Sequence, residues 1–198
     1  MASHPATKLT EQEYLALERA AEFKSEFFRG EMFAMSGASL RHLFLQSNIQ
    51  GELYAALRGA RCEVFGSDLR VRVSSDMYTY PDITVICGEP ALADDHQDVL
   101  LNPLVIFEVL SPSTERYDRG LKRQRYTGLA SLKDYILVSQ TNLHIEQYTR
   151  QENNLWTVRD YATLDEELTI ASIGVSLSLR AIYNRVEFPT TPPSEPRP

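Results

Sequence analysis

One short strand carries a charge that the folded chain has to neutralise. The segment LVIFEVLSPS, residues 104–113, is an apolar run typical of a buried strand, interrupted at its fifth position by Glu108. A carboxylate taken out of water without a partner costs several kcal/mol, a large part of the stability of an ordinary domain. The fold must therefore bring a cation, a metal ion or a proton to Glu108.

A second acid stands at the head of a similar apolar run, YPDITVIC. Pro81 cannot donate a hydrogen bond to a sheet, so the strand is expected to begin beside it, at Asp82. If the two strands pair as an antiparallel hairpin centred at residue 95, Asp82 faces Glu108. Facing residues have Cβ atoms roughly 4.5–5.5 Å apart, so two carboxylates there repel each other unless a cation or proton joins them. The pattern favours a site for Mg²⁺, which is commonly held by one or two carboxylates.

A lysine follows on the next predicted helix. Lys122 lies fourteen residues after Glu108, in ERYDRGLKRQRYTGLA, a helical pattern weakened by Gly120. The short SPST loop would fold this helix back over the strand end, where an ammonium could stabilise a hydroxide nucleophile or the charge on a phosphate. An ordinary surface ion pair with Asp118 explains the same spacing.

The remaining pattern predicts an α+β (mixed α/β) fold. Thr10 and Glu13 have the spacing of a capping box, SEFFRGEMFAMSG predicts a hairpin turning at Arg29-Gly30, and residues 39–58 have the apolar spacing of a long helix. The next strand-like runs predict one sheet built of hairpins: CEVF, LRVRV, DITVIC and LVIFEVL. The later runs predict a buried strand, extra C-terminal strands and a closing helix: DYILVSQ, HIEQYTR, LWTVRDY, LTIASIGVSLSL and RAIYNRV.

Length and composition favour one domain, residues 1–188, followed by a disordered proline-rich tail, residues 189–198. No apolar run is long enough to cross a bilayer and the first residues lack a signal-peptide pattern, so we expect a cytoplasmic protein without a membrane partner. Cys62 and Cys87 are too few for a disulfide scaffold and lack zinc-ribbon spacing, which predicts two reduced core residues.

The charge distribution offers limited support for nucleic-acid binding. A net charge of -7 argues mildly against a protein that coats nucleic acid. Residues 115–125 nevertheless contain five cations and two acids, which predicts a short basic stripe. The signatures of serine hydrolases, P-loop NTPases and zincins are absent from the sequence.

The ordered set of segments from about residue 26 to 139 resembles the Uma-two family of restriction-endonuclease-like proteins, within the PD-(D/E)xK nuclease superfamily. The segments that carry the resemblance are SEFFRGEMFAMSGAS, the helix with His42, YPDITVI, LVIFEVLSPST, DRGLKRQRY and DYILVS. The resemblance implies a restriction-endonuclease-like core of helix, three-stranded meander, helix and strand, in which helices flank a central mixed sheet.

The same resemblance implies the roles of individual residues. Asp82 and Glu108 correspond to metal ligands, and the backbone carbonyl of Val109 to a third ligand. The common superfamily pattern has a lysine two residues after the glutamate, where this chain has Leu110. Lys122 is the natural substitute, because DRGxK is typical of the family.

Four further residues are possible additions to the site. The resemblance makes His42 a candidate metal ligand or phosphate contact, and Glu26 and Glu31 match acidic positions of the family. Tyr126 lies one turn after Lys122 on the same predicted helix. A helix histidine is more often structural, and hairpin glutamates are usually solvated.

These observations predict a Mg²⁺-dependent endonuclease that cleaves nucleic acid, with DNA favoured over RNA as the substrate. Mn²⁺ is the alternative metal. The short basic stripe makes a homodimer plausible, because a dimer doubles it. One alternative is a catalytically inactive nuclease-fold module that binds protein or nucleic acid, as Leu110 suggests. Another is a purely structural acid pair stabilised by Arg70 or Arg72.

Overall fold

The structure is a computed structural model that describes residues 8–188. The predicted tail, residues 189–198, lies outside the described residues. Within them, no helix has the length and apolar character needed to cross a membrane. The helical elements are α1 (Glu11–Ala20), α2 (Leu40–Ala56), α3 (Glu115–Tyr117), a π-helical turn (Asp118–Lys122), α4 (Arg123–Tyr126), a 3-10 turn (Ala171–Ile173) and α5 (Leu179–Ile182).

Thirteen strands complete the described fold. They are β1 (Ser25–Phe28), β2 (Glu31–Ala34), β3 (Cys62–Gly66), β4 (Arg70–Ser74), β5 (Met77–Thr79), β6 (Ile83–Cys87), β7 (Val99–Leu100), β8 (Val105–Leu110), β9 (Asp134–Ser139), β10 (Ile145–Arg150), β11 (Trp156–Tyr161), β12 (Glu167–Ile170) and β13 (Val175–Ser178).

Local sequence signals explain where the first elements begin. Thr10 and Glu13 form the predicted capping box of α1. The side chain of Ser39 accepts a hydrogen bond from the backbone N–H of His42 and so caps α2. The β1–β2 hairpin turns at Arg29-Gly30, where φ is positive at both residues, as a tight hairpin turn requires. The predicted helices and the predicted hairpin are confirmed.

The strands form two large sheets and a small one, so the prediction of a single sheet is wrong. One sheet has the order β11-β10-β9-β8-β6-β3, the second has the order β2-β1-β5-β4-β7, and β12 pairs with β13. The LRVRV segment is β4 and belongs to the five-stranded sheet. The chain passes to the six-stranded sheet between Thr79 and Ile83, where Pro81 cannot continue a ladder of hydrogen bonds.

The predicted register of the two acid-bearing strands is confirmed. β6 and β8 are antiparallel, with Ile83 opposite Phe107 and Val85 opposite Val105. The next pair outward along this register is Asp82 and Glu108. On its other side β8 pairs in parallel with β9, the predicted buried strand DYILVSQ.

The six-stranded sheet has a core on each face. Val105, Phe107 and Val109 of β8 belong to the cluster that includes the buried face of α2 and the C-terminal hairpin. The alternate residues Ile106 and Leu110 belong to the opposite cluster, which includes residues of the five-stranded sheet and of α4. Because side chains alternate along a strand, Glu108 lies on this second face.

The prediction of reduced cysteines is also wrong, because Cys62 and Cys87 form a disulfide bond. The two residues face each other in the β3–β6 ladder, with Cα atoms 3.9 Å apart. Spacing along the sequence does not reveal such a pairing, since it depends on the register of two strands.

Candidate active site

A cleft of about 1010 Å³ opens where β6 begins and β8 ends. The predicted site residues that line it are Glu26, His42, Asp82, Glu108, Val109 and Lys122. They come from β1, α2, the start of β6, β8 and the π-helical turn. Five separate stretches of sequence therefore converge on one depression.

Asp82 is held in place by α2 and by β8. Its Oδ1 lies 2.9 Å from Nε2 of His42, and its Oδ2 accepts a hydrogen bond of 2.7 Å from the backbone N–H of Val109. Gln46 on α2 donates to the backbone carbonyl of Asp82. In an extended strand the N–H and C=O of one residue point to the same side, so the Val109 carbonyl faces the side from which Asp82 approaches.

Glu108 is buried, with 4% of its surface exposed, and is held by Lys122 and Tyr126. Lys122 Nζ donates to Glu108 Oε1 at 3.0 Å, and the hydroxyl of Tyr126 donates to the same oxygen at 3.1 Å. Tyr126 is fully buried and its hydroxyl also lies within hydrogen-bonding distance of Thr79. These contacts fix the position of the hydroxyl that binds Glu108.

Lys122 is shared by three carboxylates. It is 6% exposed, and its Nζ lies 2.9 Å from Glu26 Oε1, 3.0 Å from Glu108 Oε1 and 3.4 Å from Asp118 Oδ1. Asp118 is as deeply buried as its partners. The interpretation of Asp118 and Lys122 as a surface pair is therefore wrong.

The helix that carries Lys122 is irregular. Its middle forms a π-helical turn around Gly120, between the short helices α3 and α4. Such turns are rare and occur frequently at functional sites. The predicted helix is confirmed in position, and its inward face carries Asp118, Lys122 and Tyr126.

The cluster around Lys122 contains more carboxylates than cations, and the pKa values of its members reflect this imbalance. Burial, the largest cause, raises the pKa of Glu108 well above its usual value. Lys122 opposes this shift, and repulsion from Asp118, Asp82 and Glu26 adds to it. Burial also raises the pKa of Asp118. For Lys122 burial opposes the charged form, but the surrounding groups, led by Glu108 and Glu26, together raise its pKa well above the usual value. The lysine therefore keeps its charge while the carboxylates compete for it.

Glu26 adds an unsatisfied acceptor to the cleft. The side chain is buried, and its Oε1 accepts no hydrogen bond from the described residues, because its contact with Lys122 has the distance but not the geometry of one. The site thus offers carboxylate oxygens of Asp82, Glu108 and Glu26 and the carbonyl of Val109. Oxygen donors of this kind are the ligands that a hard divalent cation such as Mg²⁺ or Mn²⁺ prefers.

Other residues singled out in the sequence lie elsewhere. Glu31 is exposed beyond the hairpin turn and does not line the cleft. Arg70 binds Tyr80 and Asp98, and Arg72 binds Glu11, so neither arginine stabilises the acid pair. That alternative is wrong, because the counter-ion of Glu108 is Lys122.

Most cations of the predicted basic stripe, residues 115–125, already have partners within the protein. Arg119 pairs with Glu115 and Glu146, Arg125 pairs with Asp76, and Arg123 stacks on Tyr148. Lys122 is buried. Among the described residues, Arg116 is therefore the one of these five cations that is both exposed and without an ion-pair partner, since the other four have the partners or the burial just given. A continuous basic face for phosphates is not present on the described part of this helix.

A second group of possible ligands lies outside the cleft. Among the described residues, only His144, Glu146 and Asp160 place three ligand atoms within 4.8 Å of one another. Glu146 and Asp160 face each other in the β10–β11 ladder, and Arg119 already pairs with Glu146. Sequence reasoning missed this group and also the burial of Asp118, whose signal was its spacing of four residues from Lys122.

Comparison with known proteins identifies the family of this chain. Residues 11–181 match the Uma2 family, described as "Putative restriction endonuclease". The chain is 36% identical over 187 residues to the uncharacterized protein slr1290 of Synechocystis sp., covering 94% of this chain and 97% of that protein. It is 35% identical over 168 residues to the uncharacterized protein sll1609 of the same organism, covering 84% and 95%.

The fold is also found in a solved structure. A nuclease of the DUF820 group from Anabaena variabilis, itself described as putative, superposes with a TM-score of 0.73 at 18% identity and covers 88% of this chain and 97% of its own. The observed order of α2, the neighbouring strands β3, β6 and β8, the helical segment α3–α4 and the parallel strand β9 matches the predicted core. The mixed α/β, nuclease-like fold class is confirmed.

Proposed function

The chain belongs to the Uma2 family of restriction-endonuclease-like proteins, and on that premise we propose that it is a metal-dependent endonuclease. It hydrolyses phosphodiester bonds of nucleic acid, with DNA preferred to RNA. The divalent cation is Mg²⁺, which Mn²⁺ can replace. Asp82 and Glu108 hold it through their carboxylates and Val109 through its backbone carbonyl.

The observation that carries the proposal is the excess of carboxylates over cations at the floor of the cleft. Glu26, Glu108 and Asp118 share the single ammonium of Lys122, while Asp82 stands beside them. Burying acids in this way is costly unless further positive charge arrives. Strongly perturbed buried acids in a cleft are typical of functional sites.

Each residue of the site then has a defined role. When bound, a divalent cation supplies polarisation of the scissile phosphate and a more acidic water. His42 and the N–H of Val109 orient the carboxylate of Asp82, as outer partners commonly orient metal ligands. Lys122 stays protonated in the buried site and stabilises the negative charge that develops on the phosphate.

Leu110 does not by itself argue for an inactive module. The position two residues after Glu108 lacks the usual lysine, yet Lys122 brings an ammonium to 3.0 Å from Glu108 Oε1 from another element. The charge is thus available although its place in the sequence differs. A homodimer is part of the proposal too, because one chain presents little exposed positive charge at the cleft.

The direct test is cleavage of closed-circular DNA, both duplex and single-stranded, with Mg²⁺, with Mn²⁺ or with EDTA. We expect nicking by the wild type only with the divalent cation, and none by Asp82→Asn or Glu108→Gln at unchanged circular dichroism. Asp160→Asn is the matched control, because it neutralises an exposed carboxylate of the second group. Full activity of Asp82→Asn and Glu108→Gln on either circle, or cleavage of neither circle by the wild type with either cation, would overturn the proposal.

A further inference from the structure

Aromatic side chains stand exposed on the rim of the cleft. Phe23, in the connection between α1 and β1, is 76% exposed, and Phe33 of β2 is 49% exposed. Both line the same cleft as Glu26 and Glu108. Single exposed apolar side chains are common on protein surfaces, but two phenylalanines beside one acidic floor form a distinct surface.

The hairpin register brings one of these rings next to the acids. Phe33 faces Glu26 directly in the β1–β2 ladder, so the two side chains project from the same face with Cβ atoms roughly 4.5–5.5 Å apart. On the other face Phe27 and Met32 pack into the core. Phe33 therefore stands beside the carboxylate that contacts Lys122.

Charge near the rim is sparse. Lys24 lines the cleft but already binds Asp68 and the backbone carbonyl of Ser67. Arg41 is the other basic residue on the rim, and it has no ion-pair partner among the described residues. Binding of a long duplex draws its affinity from many phosphate contacts, and two cations supply few of them.

Stacking on aromatic rings offers a different source of affinity. Every nucleobase has a flat face that can stack on a phenylalanine, but in a duplex those faces are covered by neighbouring base pairs. Only unstacked bases present their faces to Phe23 and Phe33. An exposed aromatic rim with few cations thus suits single strands better than duplexes.

We infer that the cleft binds single-stranded nucleic acid, with bases stacked on Phe23 and Phe33 and the backbone phosphate over the acidic floor. This inference rests on the proposed function, since it names the substrate class of the same site. The preferred substrates are then single strands, or gapped and frayed duplexes that expose them.

Fluorescence anisotropy tests this with a labelled oligothymidylate and a duplex of matched length. All binding measurements use the Glu108→Gln background with Mg²⁺, so that cleavage does not consume the probe. We expect tighter binding of the single strand, and weakening of roughly 5- to 150-fold by Phe23→Leu or by Phe33→Leu, which corresponds to about 1–3 kcal/mol per stacked base. Phe33→Tyr keeps the ring and should keep the affinity, and Leu155→Ala is the control at an exposed apolar residue outside the cleft.

Two results would overturn the inference. Equal or tighter binding of the duplex is the first, and unchanged oligonucleotide affinity in both Phe23→Leu and Phe33→Leu is the second. If the second is accompanied by a change from dimer to monomer, the rim is a contact between two copies of the chain. Each result leaves the nicking assay unaffected, so failure of the inference is distinguishable from failure of the proposed function.

Discussion

Lys122→Met removes the one cation that the structure places in contact with the buried acids. Glu26, Glu108 and Asp118 all lie within 3.4 Å of its ammonium. Methionine has a similar volume and no charge, so packing is largely kept. The variant leaves three buried carboxyl groups without a counter-ion.

The expected loss of stability follows from the burial of these groups. Removing one partner of a buried ion pair costs about 3–5 kcal/mol, because the remaining charge stays buried and uncompensated. In a protein of this size each kcal/mol lowers Tm by about 2–4 °C, so we expect a fall of roughly 6–20 °C. A divalent cation replaces the missing charge and should restore about 2.7 kcal/mol at a hundredfold excess over its Kd.

Differential scanning calorimetry in EDTA, Mg²⁺ and Mn²⁺ measures these shifts directly. Lys133→Met is the matched control, because Lys133 is exposed and should tolerate the change without loss of Tm in any buffer. An unchanged Tm for Lys122→Met in EDTA would refute the reasoning about buried charge. A low Tm that neither cation raises more than it raises that of the wild type would refute the role of the acids as a metal site.

Three further predictions address the supports of the site and the fold. His42→Ala removes the contact with Asp82 and should weaken Mn²⁺ binding about 10- to 100-fold in calorimetric titration, whereas an unchanged affinity would assign His42 a purely structural role. The raised pKa values of Glu108 and Asp118 mean that the folded, metal-free protein holds protons on these groups that the unfolded chain releases. Tm in EDTA should therefore fall as pH rises through the raised pKa values. A Tm that rises over that pH range would contradict this prediction. Replacing Cys62 by serine opens a bridge between residues 25 apart and should cost about 3 kcal/mol in urea unfolding, and a reductant that leaves the wild-type midpoint unchanged would contradict that figure.

The parts of the site that follow local rules could be predicted from the sequence. Pro81 marks where one strand begins, and an antiparallel hairpin centred at residue 95 sets Asp82 opposite Glu108, so this register was accessible from the sequence. The caps of α1 and α2 are also local, since each depends on residues three apart. Such features need no knowledge of distant contacts.

The remaining features depend on contacts between distant residues. Nothing in LRVRV distinguishes a strand of one sheet from a strand of another, because a strand has the same two-residue period in either sheet. The disulfide of Cys62 and Cys87 depends on the β3–β6 register, which their spacing does not specify. The arginines of residues 115–125 looked available because their partners, Glu146, Asp76 and Tyr148, come from other elements.

The central claim is that the acids at the floor of the cleft hold a divalent cation. Diffraction from crystals soaked in Mn²⁺, with data collected at the manganese edge, locates the ion directly. The account predicts one anomalous peak bounded by the carboxylates of Asp82 and Glu108 and the carbonyl of Val109. Anomalous density confined to His144, Glu146 and Asp160, with Lys122 still bound to Glu108 and no ion beside it, would contradict the account.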